Sequence, residues 1–202
     1  MPNHVFSRVV ITGPKEEIRR FTVSAKLTQM EGKWDINALY PNPLSEFSSP
    51  VRIVSQEEYD AQQDQPLIGR AMTQEMRDQF IAQYGTADWY RWAITHWGTK
   101  WGVYDLVEES LTDEEVILRF STAWTPATGL WSKVSEMFPS LTFESEFVDE
   151  CGNYCGRESY AAGEIKCSVD YMVDSPEGKA ICESLGFTFD FDEETESSII
   201  KS

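Results

Sequence analysis

An antiparallel α+β sandwich, one sheet with helices packed on one face, is the fold class the sequence predicts. Three observations predict it. Short stretches alternating apolar and polar residues are interleaved with stretches of helical spacing. Their order is strand, helix, strand, strand, helix, strand. The 202 residues, 41% hydrophobic and 13% aromatic, can bury a core of that size.

Val5 to Thr12 is β-rich and partly alternating, and Gly13-Pro14 stops it. Pro14 stands where a helix takes its first residue, and Glu16 and Glu17 suit the positive helix N-terminus. Ile18, Phe21, Ala25 and Leu27 then recur at helical spacing, and Trp34 to Tyr40 reads as a short extended piece. From Pro41 to about Pro66 the pattern dissolves into Pro, Ser, Asn and Gln, which marks the start of an insertion over about residues 41–96. Thr73 resembles an N-cap for a helix ended by Gly85, and Asp88 for a second one through Ile94.

Trp101 to Glu109 and Val116 to Trp124 are extended, and the polar run Ser110 to Glu115 joins them as a hairpin. Thr125-Pro126 opens a helix with Leu130, Trp131, Val134, Met137 and Phe138 as its apolar stripe, and Pro139 ends it. Leu141 to Val148 alternates as a half-exposed strand does. This is the split β-α-β order of a ferredoxin-like sandwich over residues 1–150. An acidic extension, 151–202, is expected to pack on the same domain. Within it, 154–174 reads as a hairpin and Ser175-Pro176 to Gly186 as a last helix.

Charge is segregated. Residues 1–104 hold 12 acids and 11 bases, whereas residues 105–202 hold 22 acids and 6 bases, a net of −16. Affinity for a nucleic-acid backbone comes from Lys and Arg, so direct nucleic-acid binding is not expected. A basic partner surface suits such a half. No apolar run reaches the roughly 18–20 residues of a membrane span, and no secretory signal is visible, so a cytoplasmic location is expected. Cys151 and Cys155 have a spacing that zinc pairs use, but Cys167 and Cys182 form no second pair, so free thiols are the expectation.

Four of the seven tryptophans (Trp89, Trp92, Trp97 and Trp101) fall within thirteen residues. Within Trp97-Gly98-Thr99-Lys100-Trp101-Gly102, the glycines allow tight turning, and two rings with a cation suit stacking on a base, an aromatic ligand or a partner's Arg. The same segment also fits as the lead-in to the second strand, its rings covering the open end of the core. His4 and His96 fit capping or core hydrogen bonding, and no nucleophile or phosphate-loop motif is present. No catalytic residue, metal ligand or cofactor is assigned.

Several pieces together carry a family resemblance. They are Met1-Pro-Asn-His-Val5, Ile11-Thr-Gly13, Tyr40-Pro-Asn-Pro43, Trp89-Tyr-Arg-Trp92, Trp97-Gly-Thr-Lys-Trp101 with Tyr104-Asp105, Phe120-Ser-Thr-Ala-Trp-Thr-Pro126 and Phe138-Pro-Ser-Leu-Thr-Phe143. In these the chain is similar to the YubB-like proteins of plasmids and phages, which have a ferredoxin-like domain and no assigned activity. The resemblance covers residues 1–150. It implies a small accessory protein of a mobile element and transfers no catalytic residue. The chain departs from the pattern at Cys151 to Cys155 and in its acidic end.

The expected function is therefore non-enzymatic: binding of a host or element-encoded protein through an acidic surface. Asp105, Glu108, Glu109, Glu114, Glu115, Glu144, Glu146, Asp149 and Glu150 are its candidate residues. In its sharpest form a row of carboxylates imitates a duplex's phosphate path and inhibits a nucleic-acid-handling defence protein. Solubility alone is the plainer reading of the same acids. The alternative function is a small-ligand or nucleotide-binding module, with Trp97 to Trp101 stacking a ring and Lys100 meeting a phosphate.

Overall fold

The structure, a computed structural model, describes residues 3–26, 33–62, 68–192 and 197–201, with 188–192 and 197–201 described by their backbone. Met1, Pro2, Leu27 and Pro66, which figure in the expectations above, lie outside the described residues.

Strand β1 (His4–Thr12) lies in the middle of the sheet. Val5, Ser7, Val9 and Ile11 are buried in turn, as a strand's period of two requires. Helix α1 (Lys15–Ala25) follows, with Pro14 one position earlier than expected, as its N-cap. Its buried side is Ile18, Phe21 and Ala25. The segment Ile36–Leu39 is a 3-10 turn rather than extended, because the Asp35 carboxylate accepts the Ala38 N–H and caps it.

The insertion contains β2 (Ile53–Val54), α2 (Gln56–Asp60), β3 (Met72–Thr73), α3 (Gln74–Tyr84) and α4 (Trp89–His96). Thr73 and Asp88 cap α3 and α4 through their side chains, and Gly85 ends α3 in the left-handed region at φ 75°. Strands β4 (Tyr104–Leu111) and β5 (Glu115–Ala123) form the hairpin. Helix α5 is Thr128–Met137, two residues later than Pro126. Thr125 does not cap it, since its hydroxyl donates to the Gly98 carbonyl at 2.5 Å. Strand β6 (Thr142–Asp149) completes the framework.

Beyond it come β7 (Cys155–Ala161), β8 (Glu164–Tyr171), α6 (Pro176–Leu185), β9 (Thr188–Asp192) and β10 (Ser197–Lys201). The main sheet runs β4-β5-β1-β6-β7-β8, every neighbouring pair antiparallel. Its β4-β5-β1-β6 part with α1 and α5 is the ferredoxin-like arrangement, and β7 and β8 continue the same sheet past residue 150.

The main core lies between α1, α5, the insertion and the face of the sheet that carries Val9, Leu118 and Phe143. The opposite face is covered at one end by α6, where Ile181, Cys182 and Leu185 pack on Val148, Cys155 and Phe6. Helices on one face thus describe the framework, and α6 adds a second, smaller core behind it.

Candidate functional site

The four clustered tryptophans divide between core and surface. Trp92 and Trp97 are buried; Trp92 stacks on His96 at 4.4 Å, and the Trp97 indole N–H donates to the Tyr40 carbonyl at 2.8 Å. Thr99 is 0% exposed and exchanges hydrogen bonds with the backbone of Ala123 at the end of β5. These three residues are packing. Trp89 and Trp101 remain half-buried.

Lys100 has a defined place. Its ammonium lies 4.5 Å from the centroid of the Trp101 ring and 4.6 Å from that of Trp124. The chain thus fills its own cation–π seat between two indoles. Trp124 was not among the sequence candidates. It is 39% exposed and has φ 74°, a conformation a bulky residue adopts only when its surroundings impose it. They do: its N–H donates to the Asn3 carbonyl at 2.9 Å, and its carbonyl accepts the Tyr154 hydroxyl at 2.6 Å.

From this seat a continuous run of partly exposed rings extends both ways. Trp89 touches Tyr90 and Tyr90 touches Trp124, both at 6.1 Å between centroids. On the other side Trp101, Tyr104, His4, Phe6 and Phe187 follow at 6.5, 5.8, 6.4 and 4.7 Å. Within the run, His4 Nδ1 meets the Tyr104 hydroxyl at 2.6 Å, and that hydroxyl donates to the Thr122 carbonyl at 3.0 Å. His4 is therefore the donor to Tyr104. Burial, then the carboxylates of Asp105 and Glu150, hold the Tyr104 phenol above its ordinary pKa. Those two acids border the rings, and Asp105 sits at φ 50° in the irregular start of β4.

The remaining candidate acids do not form one face, which corrects the expectation of a continuous negative surface. Asp149 is 1% exposed and accepts the Cys151 and Asn153 N–H groups, so it holds a turn. Glu108 accepts both the Lys26 ammonium and the Trp34 indole N–H at 2.8 Å. Glu109 lies against Arg8 and Arg119, which face each other across β1 and β5, and Glu146 against Arg157. The hydrogen bonds from Lys26 and from Arg8 and Arg119 hold Glu108 and Glu109 below the usual carboxylate pKa. Glu114 and Glu115 stand at the hairpin tip, at the other end of β5 from Trp124, and Glu144 is exposed in the middle of β6. Register brings Arg8 and Arg119 to Glu109 and sets Arg157 opposite Glu146.

A second feature adjoins the rings. A cleft of about 570 Å³ opens between the insertion and the residues leading into β4, walled by Trp89, Trp97 and Trp101. Lys100 does not line it. Its ammonium lies instead against the rings of Trp101 and Trp124.

Cys155 and Cys182 are buried and adjacent in the second core, and burial pushes the Cys155 thiol up to about 12. Among the described residues no group of three or more His, Cys, Asp or Glu is placed to hold a metal ion. Among them too, no helix is long and apolar enough to cross a membrane.

Residues 97–196 match the sequence model of a family described as a ferredoxin-like domain in Api92-like protein. The match begins at Trp97 and so takes in the hairpin, α5, β6, the β7–β8 pair and α6. A crystal structure of a protein api92 from Yersinia pseudotuberculosis is similar at a TM-score of 0.49 and 10% identity, over 85% of this chain and 98% of that one. No curated protein sequence matches. The chain carries a ferredoxin-like domain similar to that of Api92-like proteins, a family of uncharacterised function.

Proposed function

We propose that this protein is a non-enzymatic accessory protein, of the mobile-element kind that its YubB-like resemblance implies, and that it captures a basic segment of a partner protein. The observation carrying this reading is the run of partly exposed rings from Trp89 to Phe187, with Trp124 the exposed member and Asp105 and Glu150 beside it. Aromatic residues are enriched where binding energy concentrates in interfaces, and guanidinium groups stack on them. Lys100 between Trp101 and Trp124 supports the choice of a cation, since these indoles already hold one.

The net charge of −17 steers a basic partner inward, an effect that salt screens over about 8–10 Å. The duplex-mimic form of the idea needs an unbroken file of free carboxylates. The arginine pairs at Glu109 and Glu146 interrupt it, so the contact belongs to the rings and their bordering acids. Inhibition of a nucleic-acid-handling host protein remains within this reading if the captured segment is that protein's basic one.

The test uses the whole chain and a fluorescent peptide alternating Arg and Gly. Binding is expected to weaken roughly tenfold in Trp124→Ala, the loss of about 1.4 kcal/mol that one good ring contact represents. It should also fade with added salt. Charge attraction alone is indifferent to Trp124, so equal binding by the variant defeats the proposal. In a host-lysate pull-down, the basic proteins retained by the native chain should be lost from the variant.

A further inference from the structure

We infer that the cleft beside β4 is a binding site for a flat, uncharged aromatic molecule of two or three fused rings. The cleft shares Trp89 and Trp101 with the ring run of the partner-binding reading, but Trp124, on which that reading is tested, does not line it.

The volume, about 570 Å³, is that of a small-molecule site. Trp89, Trp97 and Trp101 form its aromatic walls, and Phe47, Ile68 and Val103 the rest of its apolar lining. Trp97 is fixed by the Tyr40 carbonyl, so that wall is in place before any ligand arrives. No charged side chain is among the described residues lining the cleft. An ionised ligand would leave water with nothing to receive its charge.

The polar lining narrows the ligand further. Asn37 is held on the backbone of Val103, which it grips by both peptide atoms, at 2.7 and 2.8 Å. Asn42 bonds the Trp89 carbonyl and the Leu44 N–H, both at 2.9 Å. Ser49 donates to Asp88. Of the hydroxyls, that leaves Ser45, and the proton of Ser48, whose oxygen takes the Arg52 N–H. Two hydroxyl donors match a heteroaromatic with one or two acceptor atoms.

The experiment titrates the full chain with quinoline and quinoxaline, which carry one and two ring-nitrogen acceptors, and with quinoline-2-carboxylate and quinoxaline-2-carboxylate as charged counterparts, read by saturation-transfer NMR. The neutral pair should bind saturably and each carboxylate at least about tenfold more weakly, a gap of about 1.4 kcal/mol. Ser45 is exposed at the mouth, and Ser45→Trp should close it and weaken binding about tenfold at an unchanged melting temperature. If that variant does not fold, Ile68→Ala decides, since Ile68 is 85% exposed and its loss spares the core. It should weaken binding severalfold. No saturable signal from either neutral probe at millimolar concentration overturns the inference, as does equal binding by the carboxylates. So does unchanged binding in Ser45→Trp, or in Ile68→Ala where that variant decides. Trp124→Ala should leave this binding intact, which separates its failure from that of the partner reading.

Discussion

Tyr154 holds Trp124 from across the sheet end: its phenol donates to the Trp124 carbonyl at 2.6 Å. Burial first, then Asp149 and Asp170, raise this phenol to about 12, so it stays a donor throughout the physiological range. Tyr154→Phe removes the bond and keeps the ring. The expected result is weaker capture of the Arg-Gly peptide with little loss of stability, about 1 kcal/mol, the net worth of one hydrogen bond. Peptide titration beside a urea melt checks both, and unchanged affinity means that Trp124 needs no such tether.

The left-handed backbone of Trp124 gives a second prediction, about strain. Trp124→Ala and Trp124→Gly both delete the ring, but only glycine accepts φ 74° without cost. The glycine variant should be more stable than the alanine variant by about 1 kcal/mol, the usual cost of this region for a side-chain-bearing residue. Equal melting temperatures would show that the backbone relaxes once the indole is gone.

Much of the framework is legible in the sequence because it rests on local periodicity. Val5 to Ile11 alternates, the α5 stripe recurs at helical spacing, and Thr73, Asp88 and Ser175 announce the helices they cap. The acids misled for a physical reason. Glu109 reads as an exposed charge until register sets Arg8 and Arg119 opposite each other and beside it. The ring surface has the same character, for His4 and Tyr104 touch across a hundred residues, and no pattern marks the φ of Trp124. The crowding of tryptophans marks one segment, and spacing alone does not divide it into buried Trp92 and Trp97 and half-buried Trp89 and Trp101.

Lys100 occupies the seat that a partner's cation would use. Lys100→Met keeps an apolar stem against Trp101 and Trp124 and removes the charge. The variant should bind the Arg-Gly peptide more tightly, about threefold to tenfold, since one cation–π contact of about 0.5–1 kcal/mol no longer competes and one repulsive charge is gone. Weaker binding than the native chain would instead make Lys100 a contributor to the contact.

Glu109 links the sheet to acid sensitivity. Arg8 and Arg119 are cross-strand neighbours, a like-charge arrangement that costs stability until a carboxylate lies with them. Their hydrogen bonds lower the Glu109 pKa, so its folded value lies below an unfolded one of about 4.3. A depressed folded pKa gives stability that is full above the unfolded value and lost as pH falls through the folded one. The groups are about a third exposed, which limits the effect to about 0.5–1 kcal/mol. Urea midpoints should place Glu109→Gln below the native chain at pH 7, and the two should converge as pH drops under about 4. A gap that persists in acid assigns the loss to packing.

Gly102 tests how firmly the 3-10 turn Ile36–Leu39 is tied to the residues leading into β4. A Cβ built there meets the Asn37 Oδ1 at 1.9 Å, while Asn37 grips both the N–H and the carbonyl of buried Val103. Gly102→Ala must therefore push Asn37 off Val103 and leave two buried backbone groups without their partner. Asn37→Ala removes the partner directly. Each buried group left unsatisfied costs about 1–3 kcal/mol, so both variants should lose at least about 2 kcal/mol. In a chain of this size that lowers the melting temperature by roughly 4–8 °C. Because the two changes break the same bonds, Gly102→Ala combined with Asn37→Ala should cost scarcely more than either alone. Additive losses would mean that Gly102 is required for some reason other than the approach of Asn37.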